Sequence, residues 1–396
     1  RICSKGDIFF AIKGKKNDGN KFIEQAIQKG AKTIVSDQKF QGYKNDVLFI
    51  KNENPRKLLS LAAAKIYKKK PKNLIAVTGT NGKSSIASFY SQILKLCKIK
   101  VGTIGTLGVN SDGKHKNSIN TTLDPLSLNK ILEKQKKNKI ENVILEASSH
   151  GLKQSRLDGI KFNVGIFTNF SRDHLDYHKS YKDYFDSKMI LFNKLMKKNS
   201  KIIYDTDFFL SNELKKISLK KNFKSITIGS KNSDLKINEY KIIDNKQEIS
   251  FFYKKKNYFF KTNLIGKIQI KNLMMSIIAA NQILPMKKIV NSLIKIQPIN
   301  GRLEKIGQLK NNSIVILDYA HTPDALKTCL ENIKDQYKFS KISLVFGCGG
   351  ERDKLKREFM GKIANNFCDR VYLTDDNPRK ENPKKIRTQV KKKINK

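Results

Sequence analysis

Cysteine is scarce in this sequence, and what there is of it is scattered. Cys3, Cys97, Cys329, Cys348 and Cys368 are odd in number and form no Cys-x-x-Cys pair. Neither a zinc site nor a disulfide framework is indicated, and the five read as reduced thiols in a reducing compartment. Long apolar runs are missing too. The longest, such as Ser313 to Leu317 and Ile342 to Phe346, are far too short to cross a bilayer. The opening segment, Arg1 to Asp7, has no charged-then-apolar signal layout. The expected compartment is therefore the cytoplasm, with no membrane insertion. Acidic residues are few: 35 Asp and Glu stand against 80 Lys and Arg, for a formal net charge of +45. That balance invites a nucleic-acid reading. However, the lysines are spread along the whole chain among Asn and Ile, and only the tail, 384–396, is Lys-rich enough to count as low-complexity. A solvated Lys-rich surface is the reading taken, with no specific nucleic acid expected. A positive field would still draw anionic substrates such as nucleotides.

Hydrophobic residues make up 39% of the 396, enough to build cores, and the length points to about two to three domains. No internal repeat at a fixed period is present. Residues 1–73 read as a small α/β unit, with a strand at Asp7 to Ile12, a helix at Phe22 to Lys29, a strand at Thr33 to Val35 and a linker at Lys68 to Pro71. A second unit, 74–298, begins with the buried strand Leu74 to Val77 and a helix with Ile86, Phe89, Ile93 and Leu94 on one face. Further strands at Val143 to Leu145 and Val164 to Phe167 imply a mainly parallel sheet. A third unit, 299–396, has strands at Ile314 to Leu317, Ile342 to Phe346 and Val371 to Leu373, each followed by a polar loop. Ligands of open α/β sheets bind at such carboxyl ends.

Between the first strand and helix of the second unit lies Thr78-Gly79-Thr80-Asn81-Gly82-Lys83-Ser84-Ser85. A strand, a Gly-rich turn ending Gly-Lys-Ser and a helix form the layout of a phosphate-binding loop. Its backbone N–H groups make an anion nest at the positive end of a helix. Lys83 would reach the β- and γ-phosphates of ATP, and Ser84 would place its hydroxyl on Mg²⁺. The spacing departs from the usual pattern, since Val77 stands where a first glycine would fall. Glu146 ends another buried strand, in Glu146-Ala147-Ser148-Ser149-His150-Gly151, where a carboxylate suits Mg²⁺ beside Ser84. A third strand leads into Asn169-Phe170-Ser171-Arg172-Asp173-His174-Leu175-Asp176-Tyr177-His178. Histidine is also scarce, yet four of the five (His150, His174, His178 and His321) fall in strand-end loops. Any one alone is more often structural than functional; the clustering favours function.

Thr-Gly-Thr-Asn-Gly-Lys-Ser resembles the phosphate loop of the Mur ligases and folylpolyglutamate synthetases, which join a carboxylate to an amine through an acyl phosphate. The later segments resemble Mur ligase signatures, in order across essentially the whole chain, and specifically those of the branch that makes the muramoyl tripeptide. The resemblance implies α/β class and a three-domain Mur ligase architecture, with a central P-loop parallel-sheet ATPase domain and a Rossmann-like C-terminal domain. The family's Asp-Ser ahead of Arg1 and its Gly-Lys-Gly-His-Glu segment beyond the C-terminal end have no counterpart here, so the third domain is expected to be incomplete. It implies Lys83, Glu146, His174 and Lys188 as catalytic, with Lys188 carbamylated so that it helps Ser84, Glu146 and His174 hold Mg²⁺. Gly79, Thr80, Asn81, Gly82, Lys83, Ser84 and Ser85 would bind ATP, together with Asn272 at the adenine, Arg302 at a phosphate and Asp318 at the ribose; Gln269 stands where the family has Asn. The muramoyl substrate would meet Lys15, Lys16, Asn17, Asn120, Thr121, Thr122, Ser148, Gln154 and Arg156.

Asp376-Asn377-Pro378-Arg379 matches the mark of family members that add meso-diaminopimelate; lysine-adding relatives lack the arginine. Diaminopimelate carries a second carboxylate that Arg379 can bind bidentately, with Arg352 matching a second arginine nearby. With lysine, that guanidinium would face a cation or stay unpaired, at about 1–3 kcal/mol or more. The implied activity is ATP-dependent addition of meso-diaminopimelate to UDP-N-acetylmuramoyl-L-Ala-D-Glu in peptidoglycan synthesis, by a monomer. The alternatives are a lysine-adding or other Mur ligase, a folylpolyglutamate synthetase, and, from a different class, a basic P-loop nucleic-acid-binding protein.

Overall fold

A computed structural model describes residues 3–14, 17–244, 246–351 and 353–395. Its central feature is an eleven-stranded sheet. Within it the strand Asn73–Thr78 lies between Phe162–Phe167 and Asn142–Glu146, parallel to both. Val101–Gly105 extends the parallel run on one side, and Met196–Asp205 and Lys224–Gly229 on the other. Antiparallel ribbons finish both edges, Gly108–Ser111 with Lys114–Lys116 at one and Leu235–Ile243, Lys246–Tyr253 and Lys256–Thr262 at the other.

The central strand is buried along its length because helices cover both faces. Alternate side chains serve opposite layers, as strand geometry requires. Ile75 and Val77 join the core of the helices Lys83–Leu96 and Lys267–Ala280, while Leu74 and Ala76 join the core beneath Pro125–Lys137. Burying a Leu, Ile or Val side chain of this kind is worth about 1.5–3 kcal/mol. An exposed ion pair adds roughly 0–1 kcal/mol, so these two layers hold the unit together.

The smaller amino-terminal sheet has the order Ile8–Phe10, Thr33–Ser36, Val47–Lys51, Gly42–Lys44. The helix expected from Phe22 is a short 3-10 turn, Gly19–Phe22, continued by Ile23–Gln28. In the last unit Ser343–Phe346 and Arg370–Leu373 pair in parallel around the helix Leu355–Phe367, a Rossmann-like crossover. Ile314–Leu317 pairs antiparallel with Glu304–Gln308. Four helices share one start signal, an Asn, Asp or Thr cap followed by proline: Asn54 before Pro55, Asp124 before Pro125, Thr322 before Pro323 and Asn382 before Pro383. Each cap side chain accepts a hydrogen bond from a first-turn backbone N–H, and proline's missing donor costs nothing there.

Candidate active site

Strand order decides what meets at the site. Thr78 is in register with Phe167, and Val77 with Glu146. Three strand-end loops therefore emerge side by side, 79–83, 147–149 and 168–174, at the carboxyl edge of the sheet. Gly79 and Gly82 adopt positive φ, 139° and 85°. A Cβ on Gly82 would stand 2.6 Å from the Asn272 Oδ1, so this position needs glycine both for its conformation and for its contact with the neighbouring helix. The turn is pinned from the adjacent loop. Thr80 N donates to Asn169 O (2.9 Å), Asn81 N to Asn169 Oδ1 (2.9 Å), and Thr168 Oγ1 to Asn81 O (2.5 Å).

Lys83 folds back on this turn, its Nζ donating to Gly79 O (3.0 Å) and Thr80 O (2.6 Å). Burial lowers its pKa, while Glu146 and Asp173 pull the other way. Ser84 Oγ donates to Glu146 Oε1 at 2.9 Å. That carboxylate is buried and also accepts from Thr106, N to Oε1 at 2.9 Å and Oγ1 to Oε2 at 3.1 Å. Thr106 touches Thr121, Oγ1 to Oγ1, at 2.9 Å. Thr122 donates to Glu146 O (2.8 Å) and accepts from Ser148 N (2.9 Å).

These groups face a cleft of about 440 Å³ between the central and last units. Its far wall carries Arg302, with the guanidinium over the Tyr319 ring at 4.5 Å, and Asp318, whose carboxylate accepts from Leu303 N and Ala320 N at 2.8 Å each. Burial raises the Asp318 pKa against those two hydrogen bonds. Asn272 lies buried beside Gln269, whose Nε2 donates to Arg302 O at 3.2 Å and so joins the units.

His174 lines the cleft at φ 54°, a left-handed conformation seldom adopted away from glycine. Its Nε2 lies 3.3 Å from Asp173 Oδ2, and its ring meets His150 edge-on at 4.8 Å. His178 is buried between Ser149 (3.0 Å) and Ser187 (3.4 Å). Lys188 does not line the cleft. It is buried beneath the phosphate loop, its Nζ donating to Gly79 O at 2.7 Å over the Tyr184 ring. Burial, and then Lys83, hold its pKa well below the ordinary lysine value.

Burial also holds the ring pKa values down, to about 3 for His150 and about 4 for His174 and His178, against 6.5 for a free ring. Above 6.5 the rings are neutral in both states and contribute no pH dependence. Between about 4 and 6.5 the unfolded chain binds the extra protons, so stability rises with pH across that window. The melting temperature of the ligand-free chain is expected to fall as the pH is lowered from 7 towards 4. His178→Gln should flatten that slope; an unchanged slope would count against buried neutral rings.

A second, smaller cleft of about 170 Å³ opens between the first and central units. It brings Asn120, Gln154 and Arg156 against Ile12 and Arg56. Arg156 donates to Thr122 O (2.6 Å) and to Gln154 Oε1, and Arg56 donates to Lys13 O (2.7 Å). Asn17 is exposed on the adjoining loop. Lys15 and Lys16, expected on this side, and Arg352, expected at the amino acid, lie outside the described residues. Asp376, Asn377, Pro378 and Arg379 form a separate exposed loop beyond the nucleotide cleft. Arg379, at φ 52°, donates from Nη1 to Gly350 O at 2.6 Å. Thr106, Asn169 and Asp173 line the large cleft and Arg56 the smaller one, and the sequence had given none of them a role.

A Gly-Lys-Ser turn between strand and helix, a buried carboxylate on its serine and a facing wall supplied by another α/β unit are the layout of an ATP-using P-loop enzyme. The chain belongs to the Mur ligase family. Residues 1–67 match "Mur ligase family, catalytic domain", 77–280 match "Mur ligase middle domain", and 301–396 match "Mur ligase, glutamate ligase domain". It is 42% identical over 391 residues to the UDP-N-acetylmuramoyl-L-alanyl-D-glutamate--2,6-diaminopimelate ligase of Rickettsia rickettsii, covering 97% of this chain and 80% of that one. The ligase of the same name from a Chelativorans species is 36% identical, covering 98% and 80%. A solved structure of a ligase of that name superposes with a TM-score of 0.74 at 28% identity, over 99% of this chain and 80% of the other. MurF ligase from Thermotoga maritima in complex with ADP shares the fold, with a TM-score of 0.66 at 19% identity over 99% and 85%. Among the described residues, no helix is long and apolar enough to cross a membrane.

Proposed function

We propose that this chain catalyses ATP-dependent amide formation between meso-2,6-diaminopimelate and the D-Glu carboxylate of UDP-N-acetylmuramoyl-L-Ala-D-Glu, in peptidoglycan synthesis. The observation that carries this reading is the Ser84–Glu146 contact at the mouth of a phosphate loop. It occurs in a chain 42% identical, over nearly all its length, to a diaminopimelate ligase.

ATP lies along the phosphate loop, its adenine towards Asn272 and its ribose hydroxyls on the Asp318 carboxylate. Lys83 exchanges its two carbonyl partners for phosphate oxygens, and Arg302 meets the phosphates from the opposite wall. Ser84 and Glu146 offer hard oxygen donors that fit Mg²⁺, which in nucleotide sites takes one or two carboxylates and completes its shell with phosphate and water. When bound, the metal offsets the negative charge that gathers as a phosphoryl group moves to a carboxylate. His174 serves the same sites. Lys188 contributes once carbamylated, because the modification turns a buried amine into an anion. Thr121, Thr122, Ser148, Gln154 and Arg156 orient the muramoyl peptide, with Asn120 and the 15–17 loop towards its nucleotide end. Arg379, with Asp376, Asn377 and Arg352, holds the diaminopimelate. Its amine attacks the acyl phosphate carbon, the amide forms and inorganic phosphate leaves. We place the enzyme in the cytoplasm as a monomer; its five free thiols and the assembly of the whole nucleotide cleft from one chain support this.

The test is ATP-dependent phosphate release with UDP-N-acetylmuramoyl-L-Ala-D-Glu and either meso-diaminopimelate or L-lysine. Release with diaminopimelate and little with lysine is expected. Preference for lysine would overturn the amino-acid assignment, and release with neither would overturn the ligase reading.

A further inference from the structure

One arginine in the last unit is fully buried without touching the nucleotide cleft. Arg357 sits in the first turn of the helix Leu355–Phe367, its side chain 0% exposed. Its fork meets Glu381 bidentately, Nη1 to Oε2 at 2.9 Å and Nη2 to Oε1 at 3.0 Å. Nη1 also donates to Gln389 Oε1 (2.6 Å) and Nη2 to Gly349 O (3.2 Å). Glu381 Oε1 accepts a further bond from Glu351 N at 2.5 Å. One ion pair thus ties together the loop 347–351, the loop 374–382 and the helix Pro383–Lys391.

Both loops bear on Arg379. Its Nη1 donates to Gly350 O, between Gly349 and Glu351, which the pair holds from either side. Gly350 N donates to Asn377 O at 2.9 Å, and a Cβ on Gly350 would run into Pro378 O. Arg379 and Glu351 both sit at positive φ, 52° each. Such conformations persist where surroundings over-determine them. An ion pair with its guanidinium buried and its carboxylate partly exposed adds little net stability compared with apolar packing, and its better-attested use is to fix one arrangement over others. The Arg357 hydrogen bonds push the Glu381 carboxyl down to about 2, so the pair stays charged at any physiological pH and is not a switch.

We propose that Arg357 and Glu381 are positioning residues for amino-acid selection, setting the distance between the two loops so that Arg379 meets the far carboxylate of the incoming amino acid. This rests on the diaminopimelate reading above. Neither residue lines the large cleft or the cleft between the first and central units, so the loss of the pair is expected to move one substrate alone. Lysine at 357 keeps the charge but loses the planar fork.

The experiment uses the full chain and the variants Glu381→Gln and Arg357→Lys. Each is given an equal mixture of meso-diaminopimelate and L-lysine, with product ratios read by mass spectrometry. KM for ATP and melting temperature are measured in parallel. In both variants the diaminopimelate-to-lysine product ratio is expected to fall by about tenfold or more, with KM for ATP unmoved. A ratio held at the wild-type value overturns the proposal, whether activity is intact or both products fall together with the melting temperature. Wild-type enzyme that does not prefer diaminopimelate overturns the parent reading and this one with it. Should Glu381→Gln not fold, Arg357→Lys, which keeps the buried cation, decides the outcome alone.

Discussion

Lys83→Ala is expected to lower turnover by about a hundredfold to a thousandfold, or roughly 3–4 kcal/mol of lost transition-state stabilisation. The ligand-free loop already spends the Lys83 ammonium on the carbonyls of Gly79 and Thr80. Burial disfavours its charge, so phosphate oxygens are better partners than the two neutral carbonyls it holds. The substitution removes a positive charge placed where phosphoryl charge redistributes, and leaves untouched the clamp that shapes the turn. Asn169 still accepts from Thr80 N and Asn81 N, and Ser84 still meets Glu146. Melting temperature should therefore move little, and KM for the muramoyl dipeptide should hold. Single-turnover phosphate release compared with wild type is the measurement. A variant retaining more than about a tenth of wild-type turnover would remove Lys83 from the central role given it here.

What the sequence made legible was local. The phosphate loop could be read because strand, turn and helix follow one another within a few residues. Glu146 and the 169–178 segment could be found because each continues a run of apolar residues that had to be a buried strand. That these loops meet is a property of strand order, with Asn73–Thr78 between two strands far along the chain, and no periodicity reveals it. Thr106 sits in a hairpin turn with no motif, and only pairing across the sheet brings its hydroxyl to Glu146. Arg357 is one of 80 basic residues, and its partner lies 24 positions away. Only burial distinguishes it. Lys188 is the sharpest case: only the family resemblance singled it out among so many lysines, and its burial under the Gly79 turn appears only in three dimensions. The edge ribbon from Leu235 to Thr262 went unread. Its lysine-rich strands do alternate, with Gln247, Ile249, Phe251 and Tyr253 buried in turn, but a buried Gln at one end and a bulge in the neighbouring strand blur that period in the sequence.

Arg379→Ala should cut kcat/KM for meso-diaminopimelate by about a hundredfold, while whatever activity remains with L-lysine changes little. The two amino acids differ by one carboxylate, and a guanidinium binds a carboxylate through two parallel hydrogen bonds. Without substrate, Arg379 is exposed and donates from Nη1 to Gly350 O at 2.6 Å and to Asn377 O at 3.4 Å. Its free-state charge is therefore solvated, and the figure is set below that for a fully buried pair. Its left-handed backbone, φ 52°, is braced by its own N–H to Asn377 Oδ1 at 3.2 Å, so truncation of the side chain leaves the loop in place. Arg379→Lys separates charge from shape. It keeps the cation but not the fork, and a loss of about tenfold is expected, intermediate between wild type and alanine. If lysine at 379 restores full selectivity, net charge alone selects the substrate. If alanine lowers both amino acids equally, Arg379 holds the loop and does not read the second carboxylate. Steady-state rates with each amino acid at saturating ATP and muramoyl dipeptide distinguish the three cases.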